Sequence, residues 1–263
     1  MTLSVNGARI LVTGASAGIG WTTAQMLAQK GATICVTGRR AERLEELLAT
    51  LDGDGHVALA GDLASPEAAR ELALKAWAEL GHLDVVVHNA AIPKRRALRD
   101  LTFADVEETM AVNFFSPVQM TLATLPLMHE QGTPAVHVYV GSTGGRVGIG
   151  HESAYCASKF ALSGWAETIA IDLGGTNVDV RIVQPGPIDT EIWDRPGSED
   201  PIFNGPKEPP SVVSEAIIAA IEQPGFERYA PDMSAMVNWH VDHLDEYIST
   251  MSTGIKAAEE ART

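Results

Sequence analysis

The sequence predicts an α/β fold, a doubly wound parallel sheet with helices on both faces, on three observations. Short runs rich in Val, Ile, Leu and Ala alternate with helical patterns. The runs lack the polar-apolar alternation of a half-solvated strand, so they read as strands buried on both faces. A glycine-rich turn, Thr13-Gly14-Ala15-Ser16-Ala17-Gly18-Ile19-Gly20, joins the first run to the first helical pattern, which is where such folds bind ligands.

The apolar runs fall at 8–13, 32–37, 56–60, 83–88, 135–141 and 178–184. Helices are predicted between and after them at about 18–30, 41–51, 66–80, 102–129, 153–173 and 211–222. Right-handed crossovers of this kind place the ligand outside the carboxyl ends of the strands. Within 102–129, Pro117 cannot donate the bond that the Asn113 carbonyl normally accepts, so the helix is expected to bend there and free that carbonyl for a water. Seven of the fourteen prolines crowd into 185–210, without apolar periodicity. A long irregular insertion in a compact domain reads as a mobile lid over a cleft. Tyr229 is expected at the far edge of the sheet, and 231–263 reads as helix ending in a polar, frayed segment. No linker or further repeat interrupts this rhythm, so one domain is expected over 1–263.

Composition narrows the function. The formal net charge of −15 repels nucleic acid and anionic membrane, so any phosphate must be bound by local arginines. Apolar residues make up 45% of the chain and aromatics 6%, a balance suited to closely packed helices on a buried sheet. Two cysteines, Cys35 and Cys156, are too few for a disulfide framework, and a reducing, cytoplasmic setting is expected. Cys156 has no base spaced to activate it and reads as a buried thiol. The start of the chain lacks the pattern of a signal peptide, and no apolar stretch reaches membrane-spanning length. His240, Asp242, His243, Asp245 and Glu246 read as a solvated helix face rather than a metal site.

The chemistry concentrates in Tyr155-Cys156-Ala157-Ser158-Lys159, with Ser142 thirteen positions upstream of Tyr155. Residues i and i+4 share a helix face, so a phenol and an ammonium can converge on one spot. Moving a phenol from about 10 to near neutrality takes roughly three pKa units, ~4 kcal/mol. One positive charge at ~4 Å supplies that only at an effective dielectric near 20, so the pair works in a partly dry cleft. The glycine turn follows a strand and opens a helix, the context of a dinucleotide pyrophosphate site. The second strand ends in Gly38-Arg39-Arg40, where NAD-binding folds place a ribose-binding carboxylate. Arginine there clamps a 2′-phosphate, so NADP is preferred over NAD.

Together these residues resemble the short-chain dehydrogenase/reductase family, in register from about 8 to 190. Thr13 to Gly20 matches its T-G-x-x-x-G-x-G and Tyr155 to Lys159 its Y-x-x-x-K. The resemblance implies a Rossmann fold and a catalytic set of Asn113, Ser142, Tyr155 and Lys159. It implies cofactor contacts at Gly14, Ser16, Gly18, Ile19 and Gly20 in the turn, and at Arg39 and Arg40 beyond the second strand. Asp62 and Leu63 would meet the adenine, and Asn89 the middle of the cofactor. Tyr155, Lys159, Pro185, Gly186, Ile188 and Thr190 would hold the nicotinamide end. The family's N-N-A-G appears here as His88-Asn89-Ala90-Ala91, a departure at the turn after the fourth strand, with His88 expected to pack at the strand end.

The function so implied is an NADP(H)-dependent oxidoreductase interconverting a ketone or aldehyde and an alcohol. Its substrate would be a mostly apolar small molecule, met by Val147, Ile149, His151, Ile188, Ile192, Trp193, Ile202 and Phe203. A 3-oxoacyl thioester, a steroid, a polyketide and a small ketone all remain open. The alternatives are a non-catalytic dinucleotide sensor and an NAD-dependent alcohol dehydrogenase of the same family. The family's oligomers pair the helices at 102–129 and 153–173 across two-fold axes, so a homotetramer or homodimer is expected.

Overall fold

The structure, a computed structural model, describes residues 2–260. Seven parallel strands form one sheet: β1 (Arg9–Thr13), β2 (Thr33–Gly38), β3 (Val57–Ala60), β4 (Val85–His88), β5 (Ala135–Val140), β6 (Val178–Pro185) and β7 (Glu227–Ala230), in the order β3-β2-β1-β4-β5-β6-β7. The order reverses between β1 and β4, whose carboxyl ends diverge to open a crevice. The fold class predicted from the sequence is the one observed, with Tyr229 on the edge strand β7.

Every central strand is buried on both sides because its successive side chains point to opposite faces. Ile10, Val12, Ile34, Val36, Val85 and Val87 pack on one face, under helices α1 (Gly18–Gln29), α2 (Ala41–Leu48) and α7 (Pro210–Glu222). Leu11, Cys35 and Val86 point to the other, under α3 (Pro66–Leu80) and α5 (Ser116–Gln131). Tyr139, Val180 and Ile182 extend that second face beneath α6 (Ser153–Asp172). Full burial of each such aliphatic side chain contributes roughly 1.5–3 kcal/mol.

The predicted helix at 102–129 is not continuous. It opens as α4 (Phe103–Met110), capped by Thr102 and Asp105 in a reciprocal pair of bonds. A π-helical segment, Ala111–Phe115, follows, in which the Ser116 N–H bonds to the Ala111 carbonyl, and then α5 begins with Pro117 in its first turn. The distortion that Pro117 leads one to expect therefore lies one turn ahead of it, around Asn113, and takes the form of a π-bulge. Beyond β7, the helix expected from 231 is two helices, α8 (Ser234–Asp242) and α9 (Leu244–Glu260); the last three positions of the predicted frayed end lie outside the described residues. Among the described residues, no helix is long and apolar enough to cross a membrane.

Candidate active site

The glycine turn is shaped by close approach. A Cβ on Gly14 would lie 2.8 Å from the Ala90 Cα, and one on Gly20 would lie 2.5 Å from the Gly14 carbonyl oxygen. Gly14 and Gly18 also adopt φ of 66° and 55°, where L side chains are strained. Thr13 ties this turn to the end of β4: its hydroxyl donates to the Val87 carbonyl at 3.2 Å and accepts from the Asn89 and Ala90 amides at 2.9 and 3.0 Å. The Asn89 carboxamide donates to the Thr13 carbonyl at 2.8 Å. Ala91, at the departure after the fourth strand, has no left-handed backbone, since among described non-glycine residues only His151 has a positive φ. Ala17 precedes α1 without any side-chain cap, so the first amides of the helix are available to an anion.

At the far end of the cleft, Arg39 is exposed and forms no ion pair among the described residues. Arg40 is engaged: its guanidinium donates to the Ser16 carbonyl and hydroxyl at 3.1 and 3.2 Å and pairs with Glu191 at 2.9 Å. Arg195 joins this corner from the Pro-rich segment; burial, and then the charge of Arg39, hold its pKa below the ordinary arginine range. Sequence reading missed it, since no motif marks it. Asp62 turns its carboxylate to the Ala64 amide at 3.0 Å and lines the cleft with Leu63.

The catalytic candidates gather at the other end. Ser142 follows β5, where its hydroxyl accepts from the Gly144 amide at 3.0 Å and its own amide donates to Gln184 Oε1 at 2.8 Å. Gln184, fully buried on β6, also donates to Ser163 at 3.2 Å and to Glu227 at 2.9 Å. This residue, too, was not apparent from the sequence. Tyr155 and Lys159 lie on one face of α6, with Nζ of Lys159 5.9 Å from the phenol ring centre. Asn113 reaches the same helix from the π segment: its Nδ2 donates to the Ser158 hydroxyl at 3.0 Å and to the Ile92 carbonyl at 3.0 Å, while Oδ1 accepts from the Ile92 amide at 2.8 Å. Val112, and not Asn113, lines the cleft itself.

Burial raises the Tyr155 phenol above its usual range; the Ser142 hydroxyl opposes this, the Glu152 and Cys156 charges add to it, and Arg95 opposes it weakly. Burial brings Lys159 down to about 7. The sequence reading has Lys159 lowering the phenol, whereas here its Nζ donates to the Val140 carbonyl at 2.8 Å and the hydroxyl of Ser142 acts on the phenol instead. At neutral pH the tyrosine is therefore protonated, a proton donor at rest. Burial pushes the Cys156 thiol up to about 11, unsuited to a nucleophile.

The Pro-rich segment covers this end. Arg95, 3% exposed, donates to the carbonyls of Glu199 at 2.9 Å and Ile192 at 3.3 Å and to that of Trp193. Ile188, Thr190, Ile192, Trp193, Ile202 and Phe203 line a cleft of about 1160 Å³ together with Pro185, Gly186, Val147 and Ile149. Helices α8 and α9 complete the wall with Met236, Tyr247, Met251 and Ile255, a role for the tail that its polar pattern gave no sign of. His151 does not line the cleft as expected; its ring nitrogens face Glu199 at 3.6 Å and Glu259 at 3.5 Å. His88 closes β4 with its side chain buried, its Nε2 3.0 Å from Nδ1 of His137 on β5. Among the described residues, no three His, Cys, Asp or Glu side chains converge as metal ligands.

Comparison with known proteins agrees with this geometry. Residues 8–200 match the short chain dehydrogenase family. An uncharacterized oxidoreductase, YxnA, of Bacillus subtilis is 35% identical over 228 residues, 84% of this chain and 64% of that protein's length. D-threitol dehydrogenase of Mycolicibacterium smegmatis is 34% identical over 73% of this chain and 76% of its own. A short-chain dehydrogenase structure from Streptomyces avermitilis superposes with a TM-score of 0.79 at 27% identity, covering 97% of this chain and 98% of that one. A short chain dehydrogenase from Burkholderia cenocepacia, solved with NADP, shares the fold with a TM-score of 0.80 at 23% identity, over 95% of this chain and 99% of that one. With residues 8–200 matching the family and D-threitol dehydrogenase 34% identical over 76% of its own length, the chain belongs to the short-chain dehydrogenase family.

Proposed function

We propose that this protein interconverts a ketone or aldehyde and an alcohol using NADP(H). One observation supports this above the others: Ser142 and Tyr155 face each other on the cleft wall, with Lys159 one turn beyond Tyr155, while Arg39 stands unpaired at the opposite end. The residues fit a dinucleotide. The two glycines whose Cβ atoms would strike backbone, and the uncapped start of α1, leave room and amides for a pyrophosphate.

When bound, the nicotinamide supplies the hydride. The chain's own residues do the rest. Tyr155 donates its proton to the substrate oxygen, and Ser142 holds that oxygen by a hydrogen bond. Lys159, already near neutrality, holds the ribose side of the site and lends charge to the phenolate. Asn113, fixed between Ile92 and Ser158, keeps α6 in register with the π segment and offers its carbonyl to a relay water. The Pro-rich segment serves as a lid that excludes water. A carbonyl substrate of apolar character, a 3-oxoacyl thioester among the candidates, fits the Ile, Trp, Phe and Met lining.

Arg39 is the residue that selects NADP, with Arg195 opposite it. Use of NAD is the second reading, favoured by the engagement of Arg40 with Glu191 and Ser16. A single chain domain assembled as a homotetramer or dimer in the cytoplasm completes the proposal. Following NADPH and NADH absorbance against a panel of ketones tests it: oxidation of neither cofactor with any carbonyl compound would leave the dinucleotide-sensor reading in its place.

A further inference from the structure

The cleft wall beside Tyr155 carries a carboxylate that the hydride reaction does not use. Glu152 lies three positions before Tyr155, immediately ahead of α6, and lines the cleft. It stands at the N-cap of α6, yet its side chain makes no cap bond. Among the described residues no hydrogen bond or ion pair reaches its carboxylate. Arg95 is the cation nearby, and its guanidinium is committed to the carbonyls of Ile192, Trp193 and Glu199. Burial lifts the Glu152 carboxyl above its ordinary range, and the field of Arg95 offsets this only in part.

A partly dry carboxylate without a partner costs free energy in the folded chain. Among the described residues only the field of Arg95 offsets part of that cost, and Glu152 lines the space where substrate binds. The same cleft is lined by the apolar Ile149, Ile192, Trp193, Phe203 and Ile255, with Arg95 among them. The carboxylate also lies within electrostatic reach of the phenol, since its charge raises the Tyr155 pKa.

We propose that Glu152 binds an ammonium group of the substrate, which makes that substrate an amino ketone, or the matching amino alcohol, with an apolar chain. This rests on the carbonyl-alcohol reading of the site above. A second carboxylate or a phosphate at this point would be repelled, and a neutral hydroxyl gains less than a charge-assisted bond. The net charge of −15 favours the approach of a cation over an anion. Tyr155 reaches the carbonyl oxygen while Glu152, three positions earlier in the chain, takes the ammonium, so the vicinal amino alcohol is the first to test. The bound ammonium also cancels the Glu152 charge felt by the phenol, so the same contact that selects the substrate eases proton movement at Tyr155.

The test uses the wild type, Glu152→Gln and Glu152→Asp, with octylamine and octanol as probes in calorimetric titration, and with 1-amino-2-octanol and 3-nonanol as oxidisable alcohols. The wild type should favour octylamine over octanol, and 1-amino-2-octanol over 3-nonanol in kcat/KM, by at least about tenfold. Glu152→Gln should abolish both preferences, and Glu152→Asp should keep part of them. Equal binding of octylamine and octanol by the wild type overturns the inference, as does a preference that survives in Glu152→Gln. Glu152-dependent octylamine binding without oxidation of either alcohol upholds ammonium binding at Glu152 and overturns the amino ketone assignment together with the oxidoreductase reading on which it rests. Oxidation of both alcohols without preference overturns the inference and upholds the oxidoreductase reading.

Discussion

The buried histidine pair on β4 and β5 makes the protein acid-sensitive by a calculable amount. His88 and His137 are 3% and 0% exposed, face each other at 3.0 Å and stack against Tyr139, with ring centres 4.6 Å apart for His88 and Tyr139. Burial lowers both pKa values, that of His137 to about 4 from the usual 6.5. A base with a depressed folded-state pKa binds more protons when unfolded. Its contribution to stability is therefore complete above about 6.5 and is lost as the pH falls from there toward the folded value. For His137 alone the loss between pH 8 and pH 5 comes to about 2 kcal/mol, since each pKa unit is worth 1.36 kcal/mol. His88 adds to it in the same direction. Urea unfolding at pH 8, 6.5 and 5, with wild type and His137→Val, measures this. The variant should be less stable at pH 8, because His88 loses its partner, but its stability should fall less steeply with acid. Parallel pH dependences in the two proteins would refute the argument.

Three further outcomes are expected. Tyr155→Phe should bind cofactor normally and lose ~10² to 10⁴-fold in turnover, and a variant retaining more than about a tenth of the wild-type rate would remove the tyrosine from its role. NADPH should bind at least tenfold more tightly than NADH, about 1.4 kcal/mol, and Gly38→Asp with Arg39→Leu should invert that order in a fluorescence titration; equal dissociation constants in the wild type would refute it. Light scattering should give a tetramer or dimer, because Phe115, Leu122, Phe160 and Ile171 are exposed on the helices expected to pair; a monomer at micromolar concentration rejects this.

Much of this was legible because local chemistry dictated it. Period-free apolar runs marked the buried strands, and six of the seven strands follow those runs closely. The seventh, Glu227–Ala230, alternates Arg, Tyr and Glu on an edge, where burial imposes little pattern. The glycine turn and the Tyr-Lys helix were readable because close approach and a shared helix face demand fixed residue types at fixed spacings. Gln184, Glu152, Arg95 and Arg195 were not. Gln184 and Arg95 act through partners far along the chain: Gln184 meets Ser142 42 positions away, and Arg95 meets Glu199 104 positions away. Arg195 is felt only where the Pro-rich segment returns to Arg39, and Glu152 matters only because the folded chain places it on the cleft wall. No local spacing encodes such a meeting. The π-bulge was half legible: Pro117 announced a distortion, but its place depends on how Asn113 is gripped by Ile92 and Ser158.

The grip of Arg95 on the covering segment has a consequence for how this protein can change. Its acceptors at Ile192, Trp193 and Glu199 are main-chain oxygens, and every amino acid, proline included, presents the same oxygen. These bonds are thus indifferent to the identity of the residues they reach, and Arg95 adds to them a side-chain contact with Trp193, whose ring centre lies 5.7 Å from the guanidinium carbon. Side chains at 188, 192, 202 and 203 can be exchanged to suit a different guest while the segment stays anchored at the same points, whereas Trp193 also ties the segment to itself by donating to the Ile188 carbonyl at 2.6 Å. Selectivity and attachment are written in separate alphabets, side chain for one and backbone for the other. Mutational drift in the first leaves the second in place so long as Arg95 and Trp193 are kept.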